Sequence, residues 1–211
     1  FNARGYTLFV MTYRMPADGH AESSEAPLAD AQRALRTLRA RAAEWHIDPH
    51  KIGIMGFSAG GHVAASLETR YSEPAYAAVD AIDQQSARPD FAVLGYPVIS
   101  MDPAIAHPGS RKALIGETPT AERQHRYSPE QNVTPQTPPT FIFHAVDDPS
   151  VPVDNALVMF NALRAHQVPT ELHLFAEGKH GFGIRGTRGL PAAEWPQLAM
   201  NWIASLAEMN K

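Results

Sequence analysis

Short apolar runs alternate with amphipathic segments along this chain, and that alternation restricts its fold more than any other feature. Lys51-Ile52-Gly53-Ile54-Met55-Gly56, Phe91-Ala92-Val93-Leu94-Gly95-Tyr96 and Thr140-Phe141-Ile142-Phe143-His144 are apolar and bounded by proline-containing turns, the pattern of strands buried on both faces. Tyr6-Thr7-Leu8-Phe9-Val10-Met11-Thr12-Tyr13 reads the same way between Gly5 and Pro16. Glu171-Leu172-His173-Leu174-Phe175 alternates, which puts it nearer a sheet edge and His173 toward solvent. Residues 27–45 repeat Leu28, Ala31, Leu35, Leu38, Ala42 and Trp45 every three or four positions, as an amphipathic helix does, with Pro27 near its start. Further helices are expected over 59–69, 153–165 (Leu157, Phe160 and Leu163 on one face) and 192–209 (Trp195, Leu198, Trp202, Ile203 and Leu206 inward). Strands alternating with helices imply right-handed crossovers and an α/β fold: a mainly parallel sheet with helices on both faces. In such sheets the chemistry gathers at the carboxyl ends of the strands.

A chain of 211 residues fits a single domain, 1–211, with one sizeable core. Residues 100–139 carry many prolines and little periodicity, so they are expected to form a lid or substrate-binding insertion, with 101–125 a cap over the site. A net charge of -4 argues against a nucleic-acid partner, and the basic stretch 33–41 is a solvated helix face. The absence of cysteine excludes disulfides, thiolate metal sites and cysteine nucleophiles within these residues. None of the ten histidines falls into a metal-ligand spacing. No apolar run is long enough for a membrane span, and nothing reads as a signal peptide. The expectation is a cytoplasmic chain whose native N-terminus lies before Phe1.

The apolar run ending at Gly56 leads straight into Gly56-Phe57-Ser58-Ala59-Gly60-Gly61-His62, and a helix leaves it. The pattern G-x-S-x-G is weak alone, but strand, turn and helix together form the junction that holds a serine exposed under strain. Flanking glycines remove side chains that would collide in so tight a turn. The helix start aims free N–H groups and its dipole at a developing oxyanion. A serine hydroxyl also needs a base. Asp147 and Asp148 follow the strand at 140–144, and His180 stands in the glycine-rich Glu177-Gly178-Lys179-His180-Gly181-Phe182-Gly183 after the strand at 171–175. Ser58, then an aspartate, then His180 is the chain order of nucleophile, acid and base in α/β hydrolases. His62 and His144 are expected to be packed and hydrogen-bonded rather than basic catalysts. Tyr96, Pro97, Ile99 and Val151 sit near the same sheet edge and are candidates to line an acyl or sugar pocket, with core packing as the alternative.

The G-F-S-A-G-G-H segment, Tyr13-Arg14, Gly95-Tyr96-Pro97, Tyr127-Ser128-Pro129-Glu130, Asp147-Asp148-Pro149-Ser150-Val151-Pro152 and Gly178-Lys179-His180-Gly181-Phe182 resemble the bacterial carbohydrate-esterase group of α/β hydrolases, acetylxylan-esterase-like enzymes included. The resemblance runs over almost the whole chain. In that group's H-G-x-x-D-x-x-V pattern the acid stands three before the valine, which favours Asp148 over Asp147. The resemblance implies a serine esterase acting on short acyl esters, acetylated xylo-oligosaccharides first, with no metal or organic cofactor. It also implies an upstream H-G-G-G or P-G-G-G-Y loop giving one oxyanion donor beside the Ala59 N–H, and no such sequence occurs here. On this reading the family's first strands and oxyanion loop are missing, and the open sheet edge favours a homodimer. Two alternatives stay open: a peptidase similar to the prolyl oligopeptidases, and an inactive hydrolase-fold fragment or interaction protein.

Overall fold

The computed structural model describes residues 1–16 and 23–209. Its sheet has four strands, β1 (Ile54–Phe57), β2 (Ala92–Gly95), β3 (Thr140–Ala145) and β4 (Thr170–Phe175), side by side in that order. All three pairings are parallel, and the register brings Phe57 opposite Gly95 and Gly95 opposite Phe143. β2 and β3 are buried along their whole length, which explains their uninterrupted apolar sequence. β4 is partly exposed at the sheet edge, as its alternation implies.

Side chains of successive strand residues leave opposite faces. Leu94 and Ile142 therefore join Ala64, Ala65, Met159 and Leu163 on one face, while Val93, Phe141 and Phe143 join Trp195 and Trp202 on the other. The first face is covered by α2 (Ala59–Arg70) and α5 (Asp154–Ala165), the second by α6 (Trp195–Met209). α1 (Ala26–Ala40) packs Leu28, Ala31 and Leu35 against Val63 and Leu67 of α2. It starts with Pro27 in its first turn and stops earlier than the apolar repeat, because residues 41–46 turn and His46 takes φ 53. In α5 the buried face is Asn155, Ala156, Met159 and Leu163, while Leu157 and Phe160 are half-buried. No helix of the described residues is long and apolar enough to cross a membrane.

Two expectations change. Residues 6–13 form no strand: Leu8, Phe9 and Val10 are 52%, 46% and 94% exposed. Apolar and β-branched composition supplies propensity, but a strand exists through a ladder of backbone bonds. β1 pairs with β2 on one edge, and no described residue pairs with its other edge. Instead Phe9 packs on the Trp45 ring at 5.0 Å, and Arg14 clasps Asp30 with its backbone and guanidinium. His173 is not turned fully to solvent; its ring lies 5.1 Å from that of Phe141 and Nε2 meets Glu171 Oε1 at 2.6 Å.

Residues 100–139 carry two short helices, α3 (Pro108–Ile115) and α4 (Ala121–Arg126), and a 3₁₀ turn at Pro129–Gln131. Leu114, Ile115 and Tyr127 from this segment bury against Val98, Met101 and Val151. Its far end is tied down by Glu25, which accepts bonds from Arg70, Arg126 and the Tyr127 hydroxyl. His62 on α2 binds the Tyr127 carbonyl at 2.9 Å, so it is a packed histidine.

α2 is pinned to the start of β3 by Glu68, which is fully buried. Thr140 Oγ1 lies 2.7 Å from Glu68 Oε2 and 2.9 Å from the Pro138 carbonyl, and one hydroxyl proton cannot serve both. A protonated Glu68 resolves this: it donates to Oγ1, which donates to Pro138. Burial pushes the Glu68 carboxyl up to about 8 from an ordinary 4.5. Between those values the folded chain keeps a proton that the unfolded chain releases, so this group's contribution to stability falls as pH rises from about 4.5 to about 8. Glu68→Gln stays neutral throughout. Urea unfolding at pH 5 and pH 8 should show the wild type losing on the order of a few kcal/mol more than the variant over that interval.

Candidate active site

β1 delivers the chain into a turn in which Ser58 stands at φ 53, ψ −122, immediately before α2. A non-glycine residue in that region carries strain of about 1–3 kcal/mol and persists only where its surroundings fix it. Here the Ser58 N–H donates to the Gly95 carbonyl at 3.0 Å, and its carbonyl accepts from the N–H groups of Val98 at 3.1 Å and His62 at 3.2 Å. The glycines divide into two kinds. A Cβ on Gly56 would stand 2.1 Å from the Gly60 carbonyl oxygen, and one on Gly61 2.7 Å from Pro97 Cβ. A Cβ on Gly60 would meet only the Tyr13 hydroxyl, at 3.9 Å. Close backbone approach therefore explains Gly56 and Gly61, whereas the second glycine of G-x-S-x-G is not required by packing.

Ser58 Oγ lies 2.8 Å from His180 Nε2, and His180 Nδ1 lies 2.7 Å from Asp148 Oδ2. Ser58 leaves β1, Asp148 leaves β3 and His180 leaves β4, so three loops converge because parallel strands share one carboxyl edge. Asp148 is buried, and His180 keeps 23% of its side-chain surface exposed. Burial opposes the Asp148 charge, but the N–H groups of Val151 at 3.0 Å and Ser150 at 2.8 Å, together with His180, outweigh it and hold the carboxyl below its ordinary range. Ala59 is the first residue of α2, so its N–H has no acceptor inside the helix.

Asp147, the alternative acid, has a different place. Its Oδ1 accepts from the N–H groups of Gly178 at 2.9 Å and Lys179 at 2.8 Å. Lys179 has φ 60, so this carboxylate closes the left-handed turn that presents His180. Sequence reading missed this role; the available signal was a pair of adjacent aspartates at a strand end, of which one can face inward and the other outward.

The four pocket candidates separate. Tyr96, 5% exposed and at φ 35, sets its ring 5.4 Å from that of His180. Pro97 is buried against Gly61. Ile99 and Val151 are both fully buried, Ile99 between the sheet and its helices and Val151 beside Val98 and Tyr127. With no surface to offer a ligand, Ile99 and Val151 are core residues. His144 is buried within hydrogen-bonding distance of Asp148.

The BD-FAE family model matches residues 1–163. A solved acetyl ester-xyloside bifunctional hydrolase from Caldicellulosiruptor lactoaceticus superposes with a TM-score of 0.89 at 42% identity, covering 98% of this chain and 74% of its own. Endo-1,4-beta-xylanase B of Butyrivibrio fibrisolvens is 36% identical over 189 residues, 87% of this chain and 29% of that protein. Acetylxylan esterase of Xylanibacter ruminicola is 33% identical over 209 residues, 97% of this chain and 40% of that protein. The chain thus spans less than half the length of these two relatives. It belongs to the BD-FAE family, and its fold is that of the α/β hydrolases.

The split among the glycines is testable by chemical denaturation. Gly61→Ala should lose about 1–3 kcal/mol, because its Cβ lands on Pro97. Gly60→Ala, in open space on a helix, should stay within about 1 kcal/mol of the wild type or gain slightly.

Proposed function

We propose that this BD-FAE family member is a serine esterase that cleaves short acyl esters, acetyl groups on xylo-oligosaccharides foremost, with Ser58 as nucleophile, His180 as base and Asp148 as acid. The observation that carries this reading is the unbroken line from Ser58 Oγ through the His180 imidazole to Asp148, assembled from three separate strand ends. The substrate class draws support from relatives bearing the names acetylxylan esterase and acetyl ester-xyloside hydrolase.

In the first half-reaction His180 Nε2 accepts the Ser58 proton as Oγ bonds to the ester carbonyl carbon. The carbonyl oxygen becomes an oxyanion facing the Ala59 N–H at the head of α2. Collapse breaks the bond to the leaving alkoxy group, which takes the proton from His180 and departs as the alcohol. In the second half, His180 accepts a proton from water as its oxygen attacks the acyl carbon, and returns that proton to Oγ as the acid leaves. Asp148 holds Nδ1–H in place and stabilises the imidazolium in both halves; its depressed pKa keeps it ionised for that task.

Hydrolysis of p-nitrophenyl acetate by the wild type and by Ser58→Ala tests the reading. The variant should fold normally and lose roughly a thousandfold or more in rate. Equal rates for two folded proteins would overturn the assignment.

A further inference from the structure

His144 is the penultimate residue of β3, is fully buried, and is not among the three groups assigned to the chemistry. Its Nε2 lies 3.0 Å from the Val151 carbonyl oxygen and 3.2 Å from Asp148 Oδ2, while its Nδ1 is buried with no hydrogen-bond partner. Both neighbours of Nε2 are acceptors when Asp148 is ionised. A proton on Nδ1 alone would leave a lone pair facing two oxygens and a buried N–H facing nothing. A proton on both nitrogens would bury a cation with one N–H unpaired. The neutral ring with its proton on Nε2 is the one form in which a donor meets acceptors, through a single N–H shared between two oxygens. Burial pulls in the same direction, lowering the His144 pKa against the opposing pull of Asp148.

The ties on the Asp148 carboxylate come from different places. Ser150 and Val151 donate to Oδ1 from the loop that carries Asp148 itself, and His180 reaches Oδ2 from the loop after β4. His144 is the tie whose donor sits on a strand of the sheet. Bonds within a loop shape that loop but do not locate it, whereas a bond from a central, fully buried strand does both. The same oxygen, Oδ2, receives both imidazoles.

We propose that His144 is a positioning residue for the esterase reaction: its Nε2–H anchors Asp148 Oδ2 to the sheet and aims that oxygen at His180. This rests on the serine-esterase reading above. Around the carboxylate stand His144 from β3 and His180 from its loop, with Tyr96, just after β2, against the His180 ring; Asp147 is engaged by Gly178 and Lys179.

The test compares kcat and KM for wild type, His144→Leu and His144→Gln on p-nitrophenyl acetate. Leucine keeps apolar volume without the donor, and glutamine can place an amide N–H near Nε2. Expected for His144→Leu is a fall in kcat on the order of tenfold or more with KM nearly constant. His144→Gln should recover much of that loss. In the wild type, ¹⁵N shifts of the His144 ring should report a protonated Nε2 and a bare Nδ1 across the active pH range, a measurement that needs no variant to fold. An unchanged kcat in folded His144→Leu, no recovery in folded His144→Gln, or a proton on Nδ1, would overturn the proposal while leaving a Ser58-dependent rate intact. Loss of that rate in the wild type would instead remove the reading on which it rests.

Discussion

The backbone of Ser58 is held in a strained turn because three neighbours claim its polar groups: Gly95 takes its N–H, and Val98 and His62 give theirs to its carbonyl. Those neighbours belong to β2, to the loop that follows it and to α2. The turn is therefore the joint at which the first strand, the second strand and the first covering helix are fastened together. Gly56 and Gly61 permit the joint, since a Cβ at either would overlap backbone or proline atoms within 3 Å. The strain of about 1–3 kcal/mol is offset by these bonds, and its effect is to hold the hydroxyl outward at the mouth of the sheet.

From that joint the rest of the site follows by topology. Parallel strands end on one side, so the loops after β3 and β4 arrive beside the one after β1. Each arriving side chain is then fixed by a carboxylate with backbone donors: Asp148 by Ser150 and Val151, the His180 turn by Asp147 through Gly178 and Lys179. Adjacent aspartates thus do complementary work, the buried one on the imidazole and the exposed one on the loop bearing it. Aromatic packing closes the far side, with Tyr96 against both His180 and Phe182 and Phe143 stacked on Trp195.

Much of this was legible in residue order, and the exceptions have physical causes. The interior strands β2 and β3 could be read because burial on both faces demands unbroken apolar sequence, β1 because its apolar run leads straight into the serine turn, and the order of Ser58, Asp148 and His180 because each follows a legible strand. Residues 6–13 carry the same signal without forming a strand, since composition cannot report whether a partner lies alongside. α3 and α4, eight and six residues long, complete too few turns to show a period. Ile99 and Val151 follow strands as pocket residues would, yet the chain folds them inward; direction after a strand end is set by tertiary packing. Asp147 acts through backbone, a role that leaves no spacing to read, whereas His144 stands at the histidine of the H-G-x-x-D-x-x-V pattern, which locates the acid without saying what its histidine does.

The central claim is that Ser58 is an activated nucleophile and that His180 activates it. Trapping states it most directly: the folded protein is incubated with a reactive organophosphonate, and the modified residue is located by peptide mass mapping. The account predicts one phosphonyl group on Ser58, formed rapidly in the wild type and suppressed in His180→Ala. No adduct on a folded sample, or one on a different serine, would contradict it.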